Sequence, residues 1–315
     1  MKFALILFSS ILLDQILGDP KNFPHPVKLI GRVINFFKKI FLTEKKSFAG
    51  GFALCVMTIG TTIIFLSLVL NLTGCNIFVE IYFLYAALAW RDLKDETAII
   101  FFALLEKNLS RARKFLSYVV GRDTENLTEK EIARAVIETI AENSIDGIIS
   151  VIFFAAVGNF FESQYGMILA VWIFKTVSTL DSMIGYESYK KFGTFGAKLD
   201  DVLNFLPARL GGLVIIFSGA ISHEGCKFFE ALKIFLRDRK NHKSPNSAHG
   251  ESAFAGVLGI ELGGGAFYQK KFEARPAINS GARSPETLDI VKAWKLLDVS
   301  CSLFAAVVVL LSGIR

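Results

Sequence analysis

The chain alternates long apolar runs with charged, periodic stretches. Residues 3–17 are apolar apart from Asp14. They lack a sizeable basic leader and a small-residue cleavage site, so a short membrane helix or a re-entrant segment fits them better than a cleaved signal peptide. Residues 28–46 carry Lys28, Arg32, Lys38, Lys39, Lys45 and Lys46 against Glu44 alone. From Ser47 to Val79 there is no charge, which predicts a span near 49–71, a turn at Thr73-Gly74 and a second span near 76–90. Residues 91–146 are soluble in character: Thr128-x-x-Glu131 forms a capping box, and Ile132, Val136, Ile137 and Ile140 recur at helical spacing. Apolar stretches return near 147–161, 166–180, 205–221 and 296–313, separated by polar residues at 181–204 and a Gly-rich, mostly polar segment at 222–295. Within that segment Ser284-Pro285-Glu286 predicts a helix start.

This pattern reads as an all-α, multi-pass integral membrane protein with cytoplasmic helical segments and loops, organised as a single domain over 1–315. The positive-inside rule assigns the 28–46 block to the cytoplasm. Strict alternation would then carry the basic segment 227–243 outside, so at least one of 147–161, 166–180 and 205–221 is read as re-entrant or buried in protein.

Composition sharpens the picture. Of 315 residues, 52% are hydrophobic and 30 are Phe, and mean hydropathy is +0.47. Charged residues make up 20%, below the ~25% usual for soluble domains. Intrinsic disorder is excluded, and a plain soluble domain fits poorly. The net charge of +6 comes from Lys and Arg flanking apolar runs. A nucleic-acid binder would instead show a basic stripe with interleaved aromatics, so no nucleic acid is expected. Cys55, Cys75, Cys226 and Cys301 show no CxxC spacing and signal neither zinc nor a disulfide framework. There is no Walker phosphate loop, and no internal repeat of the kind common in transporters.

Four segments carry candidate chemistry. Leu17 to Pro26 holds Asp19 and His25 on a stiff, Pro-rich loop. In Glu138 to Gly147, Glu138, Glu142 and Asp146 follow i, i+4, i+8 and would share a face of one continuous helix. Like charges so placed repel unless a cation or cationic substrate relieves them, or Arg134 pairs with Glu138. Lys175 interrupts an apolar run, where a charge is functional or paired by default. Asp181, Asp200 and Asp201 are hard oxygen donors of the kind Mg²⁺ takes together with phosphates. The run Ser244 to Ala253 leads to Gly263-Gly264-Gly265 and Tyr268, a turn that could present backbone N–H groups to phosphate.

The ordered motifs LGDPxxFPHPVxxIG, GRDT at 121–124, ETIAENSIDG, STLDSMIGY from Ser178, LDDVLNFLPAR and SPNSAHGESAFAG resemble the CobD/CbiB family of cobalamin biosynthesis, from the N-terminus to about residue 268. Two positions depart from the family pattern: Ser178 opens the run usually written NTLDSM, and Gly250 replaces the second proline of PNxxxPE.

The resemblance implies a multi-pass cell-membrane enzyme. Its expected reaction is ATP-dependent amidation of a propionate carboxyl of adenosylcobyric acid by aminopropanol or its O-phosphate. ATP and Mg²⁺ are implied as cofactors, with the lipid bilayer and other membrane-associated nucleotide-loop assembly enzymes as partners. Forming an amide requires carboxylate activation, charge neutralisation at phosphate and a base for the amine. Asp181, Asp200 and Asp201 are assigned to the metal, with Lys175 and Arg209 as charge clamps. Glu142 or Glu251 takes the amine or base role, with His25 a further base candidate. Asp19, Arg32, Asn143, Asp146, Tyr186, Asn204 and Asn246 are assigned with Arg209 to substrate or nucleotide binding. A transporter of a polar or charged solute and a non-catalytic scaffold for corrinoid enzymes are the alternatives.

Overall fold

The computed structural model describes residues 1–20, 25–43, 47–185 and 187–313. Its helices follow the chain in order: α1 (Lys2–Leu17), α2 (Pro26–Phe41), α3 (Phe48–Leu72), α4 (Ile77–Tyr85), α5 (Trp90–Leu105), α6 (Leu109–Val119), α7 (Glu129–Asn143), α8 (Ser150–Phe160), α9 (Gly166–Ile184), α10 (Thr194–Leu203), α11 (Phe205–Ser222), α12 (Phe228–Asp238), α13 (Ser247–Leu258) and α14 (Asp289–Gly313). A π-helical turn, Ser144–Ile149, joins α7 to α8. Among the described residues, strands form two small antiparallel pairs, β1 (Leu262–Gly263) with β4 (Ala277–Ile278) and β2 (Ala266–Tyr268) with β3 (Lys271–Glu273). Five helical stretches among them are long and apolar enough to cross a membrane: Phe48–Leu72, Glu129–Phe160, Gly166–Ile184, Phe205–Ser222 and Asp289–Gly313.

Local signals in the sequence account for several boundaries. The Thr128 capping box forms, with Glu131 N–H donating to Thr128 Oγ1 and Thr128 N–H to Glu131 Oε2. The Ile132, Val136, Ile137 and Ile140 stripe is fully buried. Thr73 caps α3, and Gly74 takes φ +62° in the turn that follows. Two expectations move. The stretch read as a span over 76–90 yields α4 alone, nine residues or about 13 Å, too short to cross a bilayer. Its end is pinned by Tyr85, whose hydroxyl donates to the Gly18 carbonyl at 2.5 Å. The helix expected from Ser284-Pro285-Glu286 begins instead at Asp289. The Asp289 carboxylate accepts the Glu286 N–H and pairs with Arg283 at 2.6 Å, holding the intervening residues in a turn.

Contacts group the chain into two compact units. Unit 1 comprises Met1–Ala89, Ser150–Asn204 and Val307–Arg315. Its core gathers Leu54, Leu70, Leu84, Trp172 and Phe174. Trp172 lies edge-on to Phe83 and donates its indole N–H to the Phe83 carbonyl at 3.1 Å. Unit 2 comprises Trp90–Ile149 and Phe205–Ala306. Its core gathers Trp90, Ile100, the α7 stripe, Phe254 and Leu297, with Trp294 Nε1 donating to Thr97 at 2.9 Å.

Within unit 1, α8 and α9 form a hairpin whose backbones nearly touch. A Cβ at Gly158 would lie 2.2 Å from the Gly166 carbonyl oxygen, whereas one at Gly60 in α3 would meet nothing within 4 Å. Small residues at such crossings let membrane helices approach closely. Gly158→Ala should therefore lower the melting temperature of the detergent-solubilised protein, by overpacking of about 1–3 kcal/mol. Gly60→Ala should leave it unchanged or raise it. Equal effects in a thermal-shift measurement would contradict this packing.

Candidate functional site

Unit 2 carries the densest group of buried ionisable side chains. Its frame is the crossing of α13 over α7. A Cβ at Gly250 would fall 2.4 Å from the Ala141 carbonyl oxygen, so the helices approach this closely only because residue 250 has no side chain. That approach sets Glu251 within electrostatic reach of Glu138 and Glu142. Glu251 is 5% exposed and Glu138 4%.

Each acid has a different environment. Glu138 is tied down: Oε2 accepts from Arg122 Nη2 at 2.6 Å, and Oε1 accepts the Gly263 N–H at 2.8 Å with Arg134 Nε 3.9 Å away. Glu142 Oε1 accepts the Ser247 hydroxyl at 2.8 Å. Burial first, and then the charges of Glu138 and Glu142, push the Glu251 carboxyl well above the usual carboxylate range, with Arg275 and Arg122 offsetting part of the rise. The raised pKa favours the protonated form of Glu251, the way environment assigns acid and base roles to carboxyl groups.

The basic side of the cluster comes from Arg122, Arg275 and His242. Arg275 Nη2 donates to the Tyr268 hydroxyl at 2.7 Å, and Nη1 lies 2.8 Å from His242 Nε2. His242 Nδ1 accepts the Ser244 N–H at 3.0 Å. Burial holds this imidazole below its usual pKa, and a neutral ring has a single lone pair. The Ser244 and Arg275 contacts therefore compete for it, and Arg275 is the partner able to turn toward another acceptor.

Arg122, Glu138, His242, Glu251 and Arg275 line a cleft with ≈ 10 Å³ of free space, room for about one water molecule. Arg122 also lines a broader groove of ≈ 1130 Å³, with Arg113, Lys114, Lys270, Phe267 and Asn126. The β2–β3 turn closes one wall: Asp123 accepts the Gln269 and Lys270 N–H groups, and its own N–H donates to the Phe267 carbonyl.

The residues singled out in the sequence divide between the units. Unit 2 holds Glu142, Asn143, Asp146, Arg209, Asn246 and Glu251; unit 1 holds Asp19, His25, Arg32, Lys175, Asp181, Asp200, Asp201 and Asn204. Tyr186 lies outside the described residues. Glu142 and Glu251 join the cluster. The shared helical face expected for Glu138, Glu142 and Asp146 is interrupted beyond Glu142, because the π-helical turn from Ser144 changes the bonding to i→i+5. Asn143 donates to the Thr139 carbonyl of its own helix. The glycine turn is also committed: Gly263 gives its N–H to Glu138, and the Gly263 and Gly265 carbonyls accept from Arg134.

In unit 1, His25 caps α2 through Nδ1, which accepts the Val27 N–H, and its Nε2 lies 3.5 Å from Asp19 Oδ1. Asn204 is buried between Ser150, whose hydroxyl it accepts at 2.8 Å, and Asp200, to which it donates at 3.1 Å. Arg32 is exposed. Among the described residues no three His, Cys, Asp or Glu side chains gather so as to hold a metal ion by themselves. A Mg²⁺ shell completed by phosphates needs only one or two carboxylates.

Sequence reasoning gave no role to Arg122, His242 or Arg275. The GRDT motif contains Arg122 and could have flagged it. His242 lies within the basic segment 227–243 read as a topology signal, and Arg275 stands in no motif.

The CobD/CbiB protein family model matches residues 7–297, and the chain belongs to that family. It is 42% identical over 298 residues to the cobalamin biosynthesis protein CobD of Clostridium perfringens, covering 91% of each chain. Identity to the CobD of Clostridium acetobutylicum is 39% over 315 residues, 96% of each. To that of Listeria monocytogenes it is 39% over 320 residues, 96% of this chain and 98% of the relative. No solved structure matches.

The buried carboxyl carries a stability signature. A carboxyl whose pKa is raised on folding stabilises the fold while it keeps its proton, below the unfolded value, and loses that contribution as pH rises through the folded value. Glu251→Gln cannot titrate. The melting temperature of the wild type should therefore fall relative to that of Glu251→Gln as pH is raised from about 5 to about 9, with the variant at least as stable at neutral pH. A pH-independent difference would contradict the raised pKa.

Proposed function

We propose that the chain is an ATP-dependent, amide-forming enzyme of cobalamin biosynthesis, joining aminopropanol or its O-phosphate to a propionate carboxyl of adenosylcobyric acid. The observation that carries this reading is Glu251, a buried carboxyl set among two further acids and two arginines, with Arg122 shared between that cleft and a groove of ≈ 1130 Å³. Amide formation brings an ammonium and a carboxylate together. A site holding both signs of charge at close quarters suits that pair, and the groove suits a large body carrying the reacting carboxylate.

The contacts in unit 2 support roles for its residues. Arg122 and Arg275 orient the carboxylate, Arg275 by leaving His242. Glu142 receives the ammonium. Glu251 gives up its own proton as the cation arrives, since a positive charge lowers a carboxyl pKa, and then accepts the proton that the amine must lose. ATP with Mg²⁺ supplies the activation that makes a carboxylate electrophilic. Asp181, Asp200 and Asp201 of unit 1 are the hard-oxygen donors proposed for the metal, with Lys175 of the same unit offsetting phosphate charge. Soluble nucleotide and corrinoid point to cytoplasmic site loops, as do the basic blocks at 28–46 and 227–243.

The test is synthase turnover by protein in detergent with adenosylcobyric acid, aminopropanol phosphate and Mg-ATP. Glu251→Gln should lower kcat by about 10²-fold or more. Arg122→Gln should mainly raise KM for the corrinoid acid. Glu106→Gln, which alters an exposed pair with Arg111, should match the wild type. Full activity in Glu251→Gln would overturn the assignment.

A further inference from the structure

In unit 2, α11, α12 and α13 meet around Gly212. A Cβ there would lie 2.4 Å from the Phe235 ring and 3.3 Å from the His249 carbonyl oxygen. The Phe235 and His249 rings meet edge to face at 5.7 Å. One turn beyond Phe235 on α12 stands Arg239, and one turn before Gly212 on α11 stands Arg209. Arg209 Nη1 donates to the Phe205 carbonyl of its own helix at 2.6 Å and to Asn246 Oδ1, at the start of α13, at 3.2 Å.

The polar groups at this junction are mismatched. His249 is fully buried, and neither ring nitrogen makes a hydrogen bond of good geometry, the Asn246 backbone being its one weak polar contact. Arg239 has no side-chain hydrogen bond or ion pair among the described residues, and its Nε is buried without a partner. The adjacent Asp238 does not neutralise it: that carboxylate is taken by Arg237 at 2.7 and 2.8 Å and by the Asn279 N–H at 2.7 Å. Arg209 likewise has no carboxylate partner among the described residues. Glu142 of α7 accepts the hydroxyl of Ser247, the first residue of α13. Both charges that bear on the His249 ring are cationic. Burial first, then Arg209 and Arg239, hold its pKa down to about 4 against a smaller opposing contribution from the Asn246 backbone. The α13 N-terminus also lacks a side-chain cap. Buried polar groups are normally paired, and two guanidiniums with no paired acid among the described residues, one of them bonded to Asn246 at the start of α13, call for an anion.

We propose that this junction binds a phosphate-class oxyanion, gripped by Arg209 and Arg239, with the His249 N–H and the start of α13 behind them. Guanidinium forks match phosphate oxygens in bidentate fashion. Donors converging from three helices suit a tetrahedral anion better than a planar carboxylate with two oxygens. The site concerns binding alone and stands whether or not the chain forms amides. Its phosphate can belong to a nucleotide, to a phosphorylated amine or to an anionic lipid headgroup.

Isothermal titration of the full chain in phosphatidylcholine nanodiscs with inorganic pyrophosphate tests the proposal. The wild type should bind, and Arg239→Gln should weaken binding by about tenfold or more. Arg239→Lys, which keeps the charge and loses the fork, should fall between the two. Lys240→Gln removes a neighbouring exposed charge and should bind like the wild type, and melting curves without anion should show that all variants are folded. His249→Gln, which keeps a donor, should bind more tightly than His249→Leu. Competition by Mg-free ATP, by aminopropanol phosphate, or by exchanging the lipid for phosphatidylglycerol identifies which source occupies the site. Absence of pyrophosphate binding in phosphatidylcholine, or equal losses in Arg239→Gln and Lys240→Gln, would overturn it.

Discussion

The candidate site depends on one close crossing. Gly250 lets α13 settle onto the Ala141 carbonyl of α7, and in doing so buries Glu251 beside Glu138 and Glu142. A buried carboxylate among like charges is strongly disfavoured. Glu251 meets this constraint by keeping its proton, while Arg122 and Arg275 offset part of the repulsion. The helix crossing and the protonation state are one arrangement: a side chain at residue 250 would push the helices apart and ease the field that raises the Glu251 pKa.

Around that crossing, the rest of unit 2 holds the charges still. Arg134 and Glu138 fasten the glycine turn at 263–265, where φ is positive at all three residues. The chain can follow that path cheaply only with glycine. The turn leads into β2 and β3, whose connecting loop Asp123 fixes through the Gln269 and Lys270 N–H groups. The same GRDT loop supplies Arg122, so the groove wall and the arginine at the cleft are positioned together.

Much of this was legible in the sequence, and what was missed has physical reasons. Helices with strong periodicity or a capping box, such as α7, stand where the pattern puts them; Glu142 stands out through the like-charged spacing of Glu138, Glu142 and Asp146, and Glu251 through the family resemblance. The glycine triplet was read as a source of N–H groups for phosphate, but no pattern in the sequence reveals that Glu138, well over a hundred residues earlier, would claim the Gly263 N–H. His242 and Arg275 come from the polar stretch 222–295, where tertiary turns rather than periodicity set side-chain position. The span expected over 76–90 shortened to α4 because hydropathy counts apolar residues and does not register the Tyr85–Gly18 hydrogen bond at its end. In the sequence Gly250 stands out only as a glycine in place of the family's second proline, whereas the structure makes it the contact on which the crossing rests.

The central claim is that burial at the crossing of α13 over α7, with Glu138 and Glu142 alongside, raises the Glu251 pKa and favours its protonated form. Infrared spectra of the full chain in lipid at pH 7, wild type minus Glu251→Gln, test it most directly. The account predicts a protonated-carboxyl C=O band that the variant lacks and that shifts when the wild-type sample is exchanged into D₂O. A difference spectrum containing only ionised-carboxylate bands would contradict it.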